Sequence, residues 1–303
     1  MNGLHSQSAH REVALVNALG LAPLGWFSGA VGWMSRRRVP RPLRAPLYGA
    51  FARVYDVALD EAELPLDGYA SFGDFFARRL RDGARSTGGG PGDVVAPADG
   101  KLAARGVAEA GHLIQAKGQD YLLADLLADP ALADELEGGL YLTFYLSPRD
   151  YHRVHSPVDG RLVGYDWVPG VHLPVSPRAV RRVPGVFARN ERVILRLETE
   201  AGPVAVVMVA ATGVANISVT AAGIDSRQLR RTRRVHRVRF DRGVPVARGD
   251  ELGAFHLGST VILVMPAGAA ALLPEDEGMT RPIRVGEVVA GRQAAARAAE
   301  MRA

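Results

Sequence analysis

Beyond residue 93 the chain breaks into short apolar runs fenced by turn residues: DVVAPADGKLAARG, GLYLTFYL, RVILRLE, GPVAVVMVAATGVANI and STVILVMPAG. Val-rich runs of this length, bounded by Gly, Pro and Asp, read as strands and predict a largely antiparallel β core. One stretch departs from the pattern, YLLADLLADPALADELEG around residues 121 to 138, which reads as a helix or helix pair. The Gly-rich STGGGPGD, residues 86–93, marks a boundary before the β runs. Upstream of it the period is helical, from about residue 46 to 82. SFGDFFARRLRDGAR sets Phe72, Phe75, Phe76 and Leu80 at helical spacing, with Ser71 as N-cap and Gly83 as stop. The fold class expected is therefore α+β, with a helical region over 1–85 and a β-rich domain over 86–303. APADGKL (96–102) and SPVDGRL (156–162) share a small-Pro-x-Asp-Gly-basic-Leu pattern. Each reads as a strand beside an Asp-Gly turn, and together they suggest an internal duplication of the core.

The N-terminal region carries its own signal. From Val13 to Ser35 no side chain is charged, a length close to that of a membrane span. Asn17, Pro23 and four glycines interrupt it, and Pro23 breaks or kinks a helix. Arg36, Arg37 and Arg38 follow at once, then Arg41 and Arg44, while Trp26 and Trp33 suit a membrane–water boundary. We read this as short helices lying in an anionic bilayer face; a true span and a buried hairpin are the alternatives. The basic cluster follows the apolar stretch, which argues against a cleaved signal peptide. The net charge of +5 favours an anionic partner, lipid or nucleic acid. Nucleic-acid binding would rest on DSRQLRRTRRVHRVRF (225–240) alone, a run without a recognised binding module, so no nucleic-acid partner is expected.

Four features carry candidate chemistry: Asp99 in PADG, His152 and His155 in DYHRVHSP, and Ser259 in FHLGSTVIL. Serine, histidine and an acid can form an activated nucleophile whatever their chain order. Taken singly each has a plainer reading, Asp99 as a turn residue, the histidines as polar surface groups and Gly258–Ser259 as a bend at a strand edge. The chain has no cysteine and no HExxH pattern, so no metal site is expected.

Taken together, SFGDFFARRLRD, PADG, IQAKG, YLSPRDYHRVHSPVDG, FARNERV and GDELGAFHLGSTVIL resemble, in order, the bacterial membrane-associated phosphatidylserine decarboxylase family. The resemblance extends from about residue 70 to 265. It implies a proenzyme that cuts itself at Gly258–Ser259 into chains 1–258 and 259–303. Ser259 would then become a pyruvoyl group, the covalent cofactor. His155, oriented by Asp99, would draw the proton from Ser259, and His152 would serve the decarboxylation as proton donor or carboxylate partner. Asp159, in the second copy of the repeat, stays a turn residue. The reaction implied converts phosphatidylserine to phosphatidylethanolamine and carbon dioxide through a Schiff base. The partners implied are an anionic membrane, bound peripherally on the cytoplasmic side, and the two chains for each other; a homodimer is compatible with the sequence. The segment 171–185 is richer in Pro and Arg than this family leads one to expect, so the headgroup contacts there are left open. Rival readings are a serine hydrolase on the same three residues, a membrane scaffold with a degenerate site, and a pyruvoyl decarboxylase with a soluble substrate.

Overall fold

The computed structural model describes residues 33–116, 119–212, 216–256, 258–273 and 280–291. Its centre is an eight-stranded antiparallel sheet. The strand order is β12 (His236–Val246), β7 (Gly160–Val168), β8 (Arg192–Thr199), β9 (Gly202–Ala210), β14 (Ser259–Val264), β5 (Leu140–Leu146), β2 (Gly100–Val107) and β16 (Arg281–Ile283). The most apolar runs occupy the middle. Val261, Ile262, Leu263 and Val264 are wholly buried, as are Val206, Val207 and Met208 on β9. Each such side chain contributes about 1.5–3 kcal/mol of burial, which keeps these strands between neighbours and leaves the Arg-rich β12 at the edge.

A second, four-stranded sheet has the order β11 (Ile224–Asp225), β10 (Ile217–Val219), β13 (Glu251–Phe255) and β6 (Arg153–His155). A three-stranded sheet joins β1 (Val94–Val95), β17 (Val288–Gly291) and β15 (Ala271–Leu272), and β3 (His112–Ala116) pairs with β4 (Gln119–Leu122). The α+β class and mainly antiparallel pairing match expectation. The 121–138 stretch is a helix pair, Leu123–Leu127 and Pro130–Glu135, the second capped by Asp129.

The two Asp-Gly segments meet. Val95 N–H donates to Pro157 O (3.0 Å) and His155 N–H to Pro97 O (2.8 Å). Gly100 and Gly160 each open a strand against a neighbouring carbonyl. A Cβ would lie 2.2 Å from Tyr145 O at Gly100 and 2.4 Å from Glu198 O at Gly160.

On the N-terminal side, helix α1 (Arg41–Tyr55) packs Tyr48 and Ala52 into a small cluster with Val57, Tyr69 and Phe75. Helix α2 (Phe72–Phe76) begins as expected: Ser71 accepts from Asp74 N–H and the Asp74 carboxylate accepts from Ser71 N–H, a closed capping box. It stops at Phe76, well short of Gly83. The chain beyond turns extended because Glu63 N–H donates to Arg79 O and Arg81 N–H to Glu61 O. Cross-chain pairing with residues 61–63 outcompetes the helical period. Among the described residues no helix is long and apolar enough to cross a membrane. Most of the Val13–Ser35 stretch lies outside the described residues.

Candidate active site

Ser259 is the first residue of β14, paired with Leu146 of β5 on one side and Ala210 of β9 on the other. The Gly-Ser step therefore sits at the mouth of a central strand and not at a sheet edge. Ser259 is wholly buried and its Oγ has no hydrogen-bond partner among the described residues. Buried hydroxyls are nearly always bonded, so an orphan in a core strand asks for a chemical reason. Among the described residues a Cβ built on the preceding Gly258 would meet only Thr212 O, at 3.7 Å, which leaves that side of its backbone open to approach.

β5 leaves Leu146 through the turn Ser147–Asp150. There the Asp150 carboxylate accepts from Ser147 N–H (2.7 Å) and Oγ–H (2.6 Å). That turn fixes His152. Its Nδ1–H donates to Asp150 O (2.8 Å), so Nε2 is the bare nitrogen, and Nε2 has no partner among the described residues. The ring is fully buried with its centroid 4.1 Å from that of Phe76. Burial drives His152 down to about 3, with the bond to Asp150 opposing and Arg78 adding to the fall. The imidazole is thus neutral at physiological pH. The main chain ties it to the segment entering Ser259, because Phe255 N–H donates to His152 O (2.9 Å).

His155 lies on β6 opposite Glu251. Its Nδ1–H donates to Gly249 O (2.7 Å), so Nε2 accepts, and the Tyr151 hydroxyl donates to it at 3.0 Å. Burial, opposed by the Gly249 bond, lowers its basicity as well. Asp99 is held elsewhere. Both its oxygens bind Arg85, and Val285 N–H donates to Oδ1 (2.8 Å). No hydrogen bond joins Asp99 to His155 among the described residues. The two meet through Pro97, whose carbonyl holds the His155 amide two residues before Asp99. Gly100 stands two strands from Ser259, or about 10 Å at ordinary strand spacing. The four expected residues thus gather at one end of the sheet, without a formed serine–histidine–aspartate chain.

Two side chains the sequence reading passed over belong to the same region. Tyr151 covers the basic nitrogen of His155, and its place four residues before His155 in DYHRVH was the signal available. Arg78 is 3% exposed and gives one bond, Nη2–H to Arg149 O (3.1 Å), leaving Nε and Nη1 without partners among the described residues. Its helical-looking context concealed it. A cleft of about 600 Å³ opens beside it, lined in part by Glu61, Arg85, Asp99 and Tyr151. Segment 171–185 covers the other face of the sheet, where Val175, Pro177 and Val180 enclose about 260 Å³ with Thr260 and Tyr145.

On these grounds the molecule is an α+β protein with a buried, unbonded serine at the head of its central strand and, on the chain that leaves the neighbouring strand, two histidines whose basicity burial lowers. A family model described as phosphatidylserine decarboxylase matches residues 72–291. The chain is 44% identical over 282 residues to the phosphatidylserine decarboxylase proenzyme of Anaeromyxobacter sp. (strain K), covering 91% of this chain and 97% of that one. It is 40% identical over 253 residues to that of Myxococcus xanthus (strain DK1622), covering 84% and 89%, and 42% identical over 275 residues to that of Acidovorax ebreus (strain TPSY), covering 90% and 95%. The chain belongs to the phosphatidylserine decarboxylase family.

Proposed function

We propose that this chain is made as a proenzyme, cuts itself at Gly258–Ser259, and then decarboxylates phosphatidylserine to phosphatidylethanolamine. The observation that carries the reading is the buried, unpartnered Ser259 Oγ following the open Gly258 at the head of β14. A side chain in that position fits conversion to a backbone ketone, since nothing among the described residues uses its hydroxyl. In the first step His155 takes the Ser259 proton as Oγ adds to the Gly258 carbonyl, and the amide becomes an ester. Loss of the Ser259 Cα proton expels the Gly258 carboxylate. Water then hydrolyses the remaining dehydroalanine, through its imine form, with release of ammonia. For His155 to act, the Tyr151 hydroxyl must yield Nε2 or relay the proton. Asp99, fixed by Arg85, acts on His155 through the field and the Pro97 link.

The pyruvoyl group so formed would supply the electron-withdrawing carbonyl that side chains lack. Around it the chain's own residues bind and move protons. His152 holds no proton to give at neutral pH until an anion arrives. A headgroup carboxylate near Nε2 would raise its basicity and charge it, after which it can hand that proton to the reacting carbon. The Schiff-base route, the division into 1–85 and 86–303, and the duplication of the two Asp-Gly segments belong to this same reading. So does peripheral binding to the cytoplasmic face of an anionic membrane, for which the basic cluster after Val13–Ser35 speaks. A homodimer is compatible with the scheme.

Denaturing mass spectrometry tests the first step. The expected result is two chains, 1–258 and 259–303, the shorter about 17 Da below its serine sequence, with carbon dioxide released from phosphatidylserine. An intact single chain in folded, active protein would return Ser259 to hydrolase or structural duty.

A further inference from the structure

Beside the segment that leads into the cleavage bond lies a pocket of about 460 Å³, lined among others by Arg36, Arg38, Asp74, Asn216, Arg227 and His256. His256 stands two residues before Gly258. Its amide donates to Asn216 O (3.0 Å) and its Nε2 meets Ser218 Oγ at 3.3 Å, so the ring is fixed in the pocket wall. The rim is the arginine triplet. Its middle member, Arg37, lies over the Trp33 ring at 4.0 Å, while Arg36 and Arg38 line the pocket.

The charges here do not balance locally. Asp74 is committed to the capping box, accepting from Ser71 N–H (3.1 Å) and Oγ–H (2.8 Å). Asp225 is committed to Arg227, accepting its backbone N–H (2.9 Å) and its guanidinium. Among the described residues neither Arg36 nor Arg38 has a carboxylate partner. Burial first, then crowding by Arg227 and Arg230, makes the Arg36 cation harder to hold, and Asp225 opposes them only in part. Guanidinium groups gathered this way repel one another, and an anion between them turns the repulsion into binding.

We propose that this pocket receives the phosphodiester of the phospholipid headgroup, held by Arg36 and Arg38 with His256 beneath. The assignment rests on the decarboxylase reading above. Two physical points select the phosphodiester over the headgroup's carboxylate. The carboxylate leaves as carbon dioxide, so a tight cationic grip on it would stabilise the ground state more than the transition state. The phosphodiester keeps its charge throughout the reaction, and the planar donor forks of arginine match its oxygens. Location agrees. The phosphorus of a serine phospholipid lies only a few bonds from the amine, and His256 in the pocket lining stands three residues before Ser259 in the chain.

The test compares wild type with an Arg36→Gln/Arg38→Gln double variant on a short-chain phosphatidylserine kept below its micelle concentration. Monomeric substrate removes any attraction to a charged surface. The variant is expected to cleave itself normally and to show KM raised about 10-fold or more, a loss of roughly 1.4 kcal/mol, with kcat little changed. Arg36→Lys/Arg38→Lys should fall between, keeping charge and losing the forks. Should the double variant misfold, Arg36→Gln alone carries the same comparison. An unchanged KM for the monomer overturns the assignment, including when turnover falls only on anionic vesicles, because the arginines would then serve the bilayer surface. Failure of the wild type to decarboxylate phosphatidylserine would instead bring down the decarboxylase reading, and this assignment with it.

Discussion

His152 and His155 stand three residues apart yet meet different surroundings, and their roles should separate. His152 keeps a bare nitrogen in a sealed site, whereas the His155 nitrogen is covered by Tyr151. His155→Ala should slow self-cleavage by about 10²–10⁴-fold, followed as the loss of full-length chain on denaturing gels. His152→Ala should still cleave but lose about 100-fold or more in carbon dioxide release. The reverse pattern would exchange the two roles. His152 also links pH to stability. Folded, it stays neutral down to about 3, whereas a free histidine charges below its ordinary 6.5. Below pH 6.5 the unfolded chain therefore binds a proton the folded chain refuses, and stability drains away as pH falls through that window. His155 and His256 are lowered in the same sense. Urea midpoints should drop from pH 7 to pH 5, and His152→Gln should reduce the drop without abolishing it. Ser259, His152, His155 and Asp99 could be singled out from the sequence because the strings that resemble the family are local. The contacts were not. Arg85 on Asp99, Tyr151 on His155 and the half-bonded Arg78 depend on where separate strands arrive, which no spacing along the chain encodes.

At the scale of elements, the Val-rich runs were readable because a strand buried on both faces needs continuous apolar sequence. The end of α2 was not, since an aromatic stripe looks the same whether the chain continues as helix or turns away to pair with residues 61–63. Gly100 shows how tightly one element constrains another. It has φ +146 and lies so near Tyr145 O that a side chain has no room. Gly100→Ala should cost about 3 kcal/mol, read as a shift in urea midpoint. Because Tyr145 precedes Leu146, the partner of Ser259, it should also slow self-cleavage. Wild-type stability and cleavage in this variant would show that β2 and β5 approach less closely than described.

For the molecule as a whole, the proposed cut would leave β14 with ladders to both β5 and β9, and β16 and β17 paired to β2 and β1 of the longer chain. The two chains should therefore run as one species in native size exclusion and separate only in denaturant. Dissociation in plain buffer would contradict the pairing. Membrane binding is tested by flotation: the protein should rise with vesicles containing anionic lipid and be released by high salt, which screens surface charge. Equal flotation with neutral vesicles would assign the attachment to the apolar segment alone.

For the proposed pyruvoyl group, the inner position of β14 would also set a lifetime. A dissociable cofactor spoiled in a side reaction is exchanged for a fresh one from solution. A reactive carbonyl built into the first residue of a strand that cannot leave its sheet has no replacement. Each molecule would then work until its one group is spent, and a cell would restore activity only by translating new chains, independent of any vitamin supply.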